Sequence, residues 1–246
     1  TLNDDLTITG GGVISDSNTV INGTTTISGG SNDFNSTTFG NVSISDGTSS
    51  FTDVSKNGTF TQTSGSTTIV GSGFDLNNDA DNISGGTLNI GNGSTTTVGV
   101  SAGTIGTDTT VNIDKNSTLN VSDGNISLDS GDTWNGNVNI SGGELALVGI
   151  SKKNSAKFTQ TGGSTTITGN GFNLNNSSDS ILGGDLNIGN DTPTGNMAVS
   201  NGVLYEGANV TINSGSSLDV VGGNVTLDGA TDKWNGSVSN SGGTLT

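Results

Sequence analysis

Phe60-Thr61-Gln62-Thr63-Ser64-Gly65-Ser66-Thr67-Thr68-Ile69 returns 98 residues later as Phe158-Thr159-Gln160-Thr161-Gly162-Gly163-Ser164-Thr165-Thr166-Ile167. The echo continues through Gly73-Phe74 and Gly171-Phe172, then through Thr87-Leu88-Asn89-Ile90 and Asp185-Leu186-Asn187-Ile188. It closes on Trp134-Asn135-Gly136 and Trp234-Asn235-Gly236. Self-similarity on this scale marks a repeat architecture, in which each unit buries its apolar side only against its neighbours.

Within the repeats the dominant local signal is alternation with a period of two. Val111-Asn112-Ile113, Leu119-Asn120-Val121, Ile126-Ser127-Leu128 and Leu145-Ala146-Leu147 each place two apolar side chains on one face. Val210-Thr211-Ile212, Leu218-Asp219-Val220 and Val225-Thr226-Leu227 do the same in the later copy. Such runs, bounded by Gly, Asn and Asp, predict half-buried strands separated by tight turns. Helix is disfavoured because Gly and β-branched residues interrupt every candidate window. Antiparallel sandwiches and barrels do not require a recurring phrase. A parallel β-helix does, because each coil lies on the one before it and equivalent residues stack in rows. The expected fold is therefore all-β, a parallel β-helix (a β-solenoid) with irregular coils of roughly 20–30 residues. On the order of ten coils are expected, rising about 4.8 Å per step. The organisation expected is one continuous solenoid over 1–246, with a partial unit at 1–55 and repeat units at 56–150 and 151–246.

Composition agrees with many short strands and excludes several functions. Leu, Ile, Val and Phe make up about 23% of the chain, near the disorder range, but a single Pro and two Glu are unlike a disordered tail. Twenty-two acids oppose six bases, all Lys, for a formal charge of −16. That field repels nucleic acid and anionic lipid, both of which need a positive surface. With no His and no Cys, a Ser–His–Asp triad, a Cys–His pair, a disulfide and the usual zinc sites are excluded. No apolar run reaches membrane-spanning length, so no membrane insertion is expected. The ends carry no polar caps; the chain opens on Leu6-Thr7-Ile8 in strand pattern and stops on Gly242-Gly243-Thr244-Leu245-Thr246. This predicts continuation into further coils or end-to-end stacking of copies.

Few residues stand out as sites, and no catalytic, cofactor or metal residues are expected. Phe60, Phe74, Trp134, Phe158, Phe172 and Trp234 are the large side chains kept in both copies; they are expected to fill coil corners or cover the core at loop bases, with a glycan platform built from the two Trp as the sharper alternative. Lys56, Lys152, Lys153 and Lys157 gather at the seams before each unit and read as solvated loops, or as contact points for another chain. Asp129 and Asp132 recur as Asp228 and Asp232 before the Trp positions. Asp-Gly turns explain them without a metal; calcium in an oxygen cage is the alternative.

The phrases Gly85-Gly86-Thr87-Leu88-Asn89-Ile90, Gly142-Gly143-Glu144-Leu145-Ala146-Leu147, Gly183-Gly184-Asp185-Leu186-Asn187-Ile188 and Gly242-Gly243-Thr244-Leu245 resemble the passenger-associated repeats of bacterial autotransporters and large surface adhesins. The resemblance implies a right-handed parallel β-helix displayed outside a bacterium. The leading expectation is a stiff extracellular stalk or fibre. An adhesin module binding glycan or host surface is the alternative. A tailspike-like enzyme acting through paired carboxylates is a third reading, which the scatter of the Asp residues disfavours.

Overall fold

The computed structural model describes residues 1–15, 18–190, 192–227, 229 and 231–246. Among them the chain is all-β, without helices, and its parallel sheets stack as a β-solenoid of about 12 turns. Parallel strands ordinarily need a crossover helix. Here the chain comes back onto itself after 17 residues at Thr25↔Val42 and after as many as 26 at Gly169↔Gly195, so each turn is its own crossover. The shortest turns, such as the 17 residues from Thr25 to Val42, fall below the expected range, and the longer ones lie within it.

The chain divides into two compact units, Thr1–Asn120 and Val121–Thr246. In the first, the strands Thr37–Thr52, Ser66–Val70, Gly86–Ile90 and Thr109–Ile113 lie in register. Phe51, Ile69, Ile90 and Ile113 form one inward column; Ser49, Thr67, Leu88 and Val111 form the next. These strands form because β-branched and aliphatic residues recur every second position and every one of those side chains is buried. Burying each large aliphatic side chain stabilises the stack by about 1.5–3 kcal/mol before entropy.

The second unit repeats the scheme. Ile126, Leu145, Thr165, Leu186 and Val210 form one column; Leu128, Leu147, Ile167, Ile188 and Ile212 form its neighbour. A further column, Ile140, Gln160, Ile181, Leu204 and Val225, lines another wall. The strands predicted from alternation at Val111–Ile113, Ile126–Leu128, Leu145–Leu147 and Val210–Ile212 all place their apolar residues inward.

Polar residues enter these columns at matching places. Thr67 and Thr165 are fully buried, and neither hydroxyl meets a protein partner. Gln62 and Gln160 are also fully buried. Gln62 Nε2 donates to the Gly85 and Thr87 carbonyls at 3.1 and 3.2 Å, and Gln160 Nε2 donates to the Asp185 carbonyl at 3.0 Å.

A corner of each turn is set by glycine. Gly30, Gly47, Gly65 and Gly86 all adopt left-handed φ between 76° and 84°. At Gly86 a Cβ would lie 2.3 Å from the Gly65 carbonyl oxygen, and at Gly65 it would lie 2.8 Å from that of Gly47. Backbone therefore rests on backbone, and both the dihedral and the space demand glycine. The second unit has the same column in Gly143, Gly163 and Gly184.

Candidate functional site

The seam lysines divide into two kinds. Lys153 and Lys157 are exposed, as loop lysines should be. Lys56 and Lys152 are buried, which overturns the expectation of a solvated loop. Each lies in register with an aromatic residue of the preceding turn, Lys56 with Phe39 and Lys152 with Trp134. An ammonium placed there must find partners.

In both units it finds an aspartate, an asparagine and a backbone carbonyl. Lys56 Nζ lies 2.5 Å from Asp81 Oδ2 and donates to Asn77 Oδ1 at 2.9 Å and to the Gly58 carbonyl at 3.1 Å. Lys152 Nζ lies 2.6 Å from Asp179 Oδ2 and donates to Asn175 Oδ1 at 2.6 Å and to the Ala156 carbonyl at 3.1 Å. Both carboxylate side chains are fully buried. Burial pushes the Lys152 amine below the ordinary lysine pKa, and the hydrogen bond and charge of Asp179 oppose that fall.

The aspartates are held by their loops. Asp81 Oδ1 accepts the Phe60 N–H at 2.7 Å, and Oδ2 accepts the Asn78 N–H at 3.0 Å. Asp179 does the same with Phe158 at 2.8 Å and Asn176 at 2.9 Å. A four-residue turn closes each loop, Asp81 N–H donating to the Asn78 carbonyl and Asp179 N–H to that of Asn176. The sequence reading missed this cluster. A signal was present: Asp81 and Asp179 keep the 98-residue offset while the residues two before them change from Asp79 to Ser177.

The same turn explains the aspartates considered for calcium. Asp132 Oδ2 accepts the Asp129 N–H at 2.7 Å, and Asp129 Oδ1 accepts the Gly131 N–H at 2.6 Å. Asp232 accepts the Val210 N–H at 2.8 Å and the Gly229 N–H at 3.0 Å. Asp228 lies outside the described residues. These carboxylates order backbone turns.

The aromatic positions shared by the two copies separate as well. Phe60, Phe74, Phe158, Phe172 and Trp134 are buried. Trp134 packs 5.9 Å from both Phe158 and Phe172, and its indole N–H donates to the Gly136 carbonyl at 3.1 Å. Trp234 is 54% exposed. A glycan platform needing both Trp rings is therefore corrected: Trp134 presents no face to solvent.

What the solenoid offers outward is a polar face. In the first unit Thr48, Ser66, Thr87 and Thr110 form one outer row, and Ser50, Thr68, Asn89 and Asn112 the next. Asn112 Nδ2 donates to Asn89 Oδ1 at 2.8 Å, the start of an amide ladder between turns. A shallow groove runs beside Ser31, Thr48, Ser50, Ser66 and Thr68. Among the described residues no group of three or more acidic side chains is arranged to hold a metal ion.

Comparison with family models, with curated proteins and with solved structures returns no match to this chain.

Proposed function

We propose that this chain is a stiff extracellular stalk or fibre segment of a bacterial surface protein. The observation that carries the reading is the register itself. In each unit inward columns run in register turn after turn, sealed by parallel backbone hydrogen bonds, while Ser, Thr, Asn and Asp fill the outer rows. Such a structure offers proteases few free strand ends and stays hydrated through its acidic, hydroxyl-rich exterior. The glycine-pair phrases resembling passenger-associated repeats support surface display. The test is limited proteolysis of the folded chain together with antibody labelling of intact source cells. Rapid cleavage within the turns, or labelling only after permeabilisation, would sink the reading.

Further coils of a longer chain, or a second copy stacked on the exposed Trp234 ring, are the partners that accompany this reading. The Trp234 ring, covered in the equivalent Trp134 by Phe158 and Phe172, would be covered by one further turn of the same kind. Negative-stain microscopy across a concentration series reads this out. Adhesion is the second reading, favoured by the hydroxyl and amide groove near Thr48 and Ser66. A glycan array with Thr48→Val and Ser66→Ala controls separates adhesion from the stalk alone.

A further inference from the structure

Lys56 and Asp81 in one unit, and Lys152 and Asp179 in the other, are buried pairs, and each meets a carboxamide at its rim, the exposed Asn77 and the half-buried Asn175. We propose that each cluster forms an intramolecular amide between the lysine Nζ and the asparagine Cγ, covalently joining successive turns.

Proximity is the first argument. Each Nζ is in hydrogen-bond contact with the oxygen of the carboxamide, at 2.9 Å for Asn77 and 2.6 Å for Asn175. One carbonyl bond length separates that oxygen from the carbon to be attacked. Fixing reactants in this way replaces a slow encounter with a unimolecular step, and such fixation supports large effective molarities. The sequence separations, 21 and 23 residues, show that each bond would cross from one turn to the next.

Protonation is the second. An ammonium has no lone pair to attack with, and the carboxylate at 2.5–2.6 Å is the acceptor for its proton. At Lys152 burial works against the charged amine and lowers its pKa. The two lysines that carry this environment are the buried ones; Lys153 and Lys157 remain in solvent.

The reaction balances without any co-reactant. The ammonium gives one proton to the aspartate, and rotation about Cε–Nζ turns the freed lone pair to the asparagine Cγ. The Nζ–Cγ bond forms as the Cγ–Nδ2 bond breaks. A second Nζ proton reaches the departing nitrogen through the aspartate, and ammonia leaves. The remaining N–H of the new amide keeps the carbonyl it already meets, Gly58 in one unit and Ala156 in the other. The proton left on the aspartic acid can donate to the new amide oxygen. No group is oxidised or reduced.

This inference stands on the clusters alone and does not depend on the stalk reading. The test is the intact mass of the purified, folded 246-residue chain, measured under denaturing conditions. The expected mass falls below the sequence mass by about 17 Da for each bond and about 34 Da for both, the loss of ammonia. Asn77→Ala and Asn175→Ala, at positions not fully buried, should each remove one such loss while circular dichroism stays unchanged. Peptide mapping should recover branched peptides joining Lys56 to Asn77 and Lys152 to Asn175. A folded wild-type chain at its full sequence mass overturns the proposal, as does a loss that persists in the double variant. Loss of water instead of ammonia makes the aspartate the electrophile and also overturns it. So does a loss reversed by mild alkali, which reports a succinimide at an Asn-Gly pair.

Discussion

The Asp179 carboxylate accepts the backbone N–H of Phe158 at 2.8 Å, tying a loop of one turn to the first residue of a strand in the turn before. Its other oxygen holds Lys152. One side chain thus fixes both the register and the charge of the interior. Removing it strands a buried amine and two backbone N–H groups.

With Lys152 kept as a free amine by Asn175→Ala, adding Asp179→Ala should therefore destabilise the chain by about 3–5 kcal/mol, the usual cost of breaking one side of a buried pair. Asp185→Ala, at an exposed carboxylate, should change stability by less than about 0.5 kcal/mol. Urea denaturation of both variants checks the difference. Equal midpoints would show that the buried pair contributes nothing.

Trp134 and Trp234 should be spectroscopically distinct. Trp234→Phe leaves emission from the buried Trp134, blue-shifted and protected from acrylamide; Trp134→Phe leaves red-shifted, readily quenched emission. Trp134→Ala should cost about 3–5 kcal/mol through the cavity it leaves between Phe158 and Phe172. Trp234→Ala should cost far less.

Thr67→Val and Thr165→Val should each stabilise the chain by about 1 kcal/mol. The substitution keeps the shape of the side chain and removes a buried hydroxyl that has no protein partner. Higher denaturation midpoints are expected for both. A lower midpoint in either would mean that the hydroxyl is satisfied in solution.

The glycine corner makes a graded prediction. Gly93 has φ +96° with open space around it, so Gly93→Ala meets backbone strain alone, about 1 kcal/mol. Gly86→Ala meets comparable strain and a Cβ 2.3 Å from the Gly65 carbonyl oxygen, adding about 1–3 kcal/mol. Thermal melts of the two variants should rank in that order.

Lys152 gives a pH dependence whose sign follows from its environment. In Asn175→Ala the amine stays free, and its folded pKa lies below the ordinary 10.5. Between the folded and unfolded values the unfolded chain binds more protons, so stability rises with pH through that window. Below the window the destabilising increment is fully present. Comparison with Lys152→Met in the same Asn175→Ala background isolates it: the gap between the two denaturation midpoints should change as pH approaches 10.5. A gap independent of pH would contradict the lowered value.

Much of the fold was legible in the sequence because its logic is local. Leu88 and Ile90, or Val210 and Ile212, announce an inward face by alternation, and the phrase containing Thr67 and Thr165 shows that the face recurs. The strand and the row are consequences of those two periods. The Lys–Asn–Asp clusters were not legible in the same way. Lys56 and Asp81 lie 25 residues apart, and nothing in their immediate neighbours requires that they meet. A lysine among turn residues reads as solvated until a folded turn places it in register with Phe39 or Trp134. Trp134 and Trp234 share the Trp-Asn-Gly phrase, yet one is enclosed and the other open. Enclosure there depends on Phe158 and Phe172, contributed by later turns, and not on the residues beside the ring.

The glycine corners have an evolutionary consequence. Since Gly47, Gly65 and Gly86 present the same backbone to whatever lies above and below, a recombination event that cuts at one corner and rejoins at another leaves a compatible junction. Loops between corners can lengthen independently, as the unequal spacing of these glycines shows. Genes of this design can gain or lose whole turns by slippage, so natural variants should differ by integral rungs more readily than by scattered core substitutions.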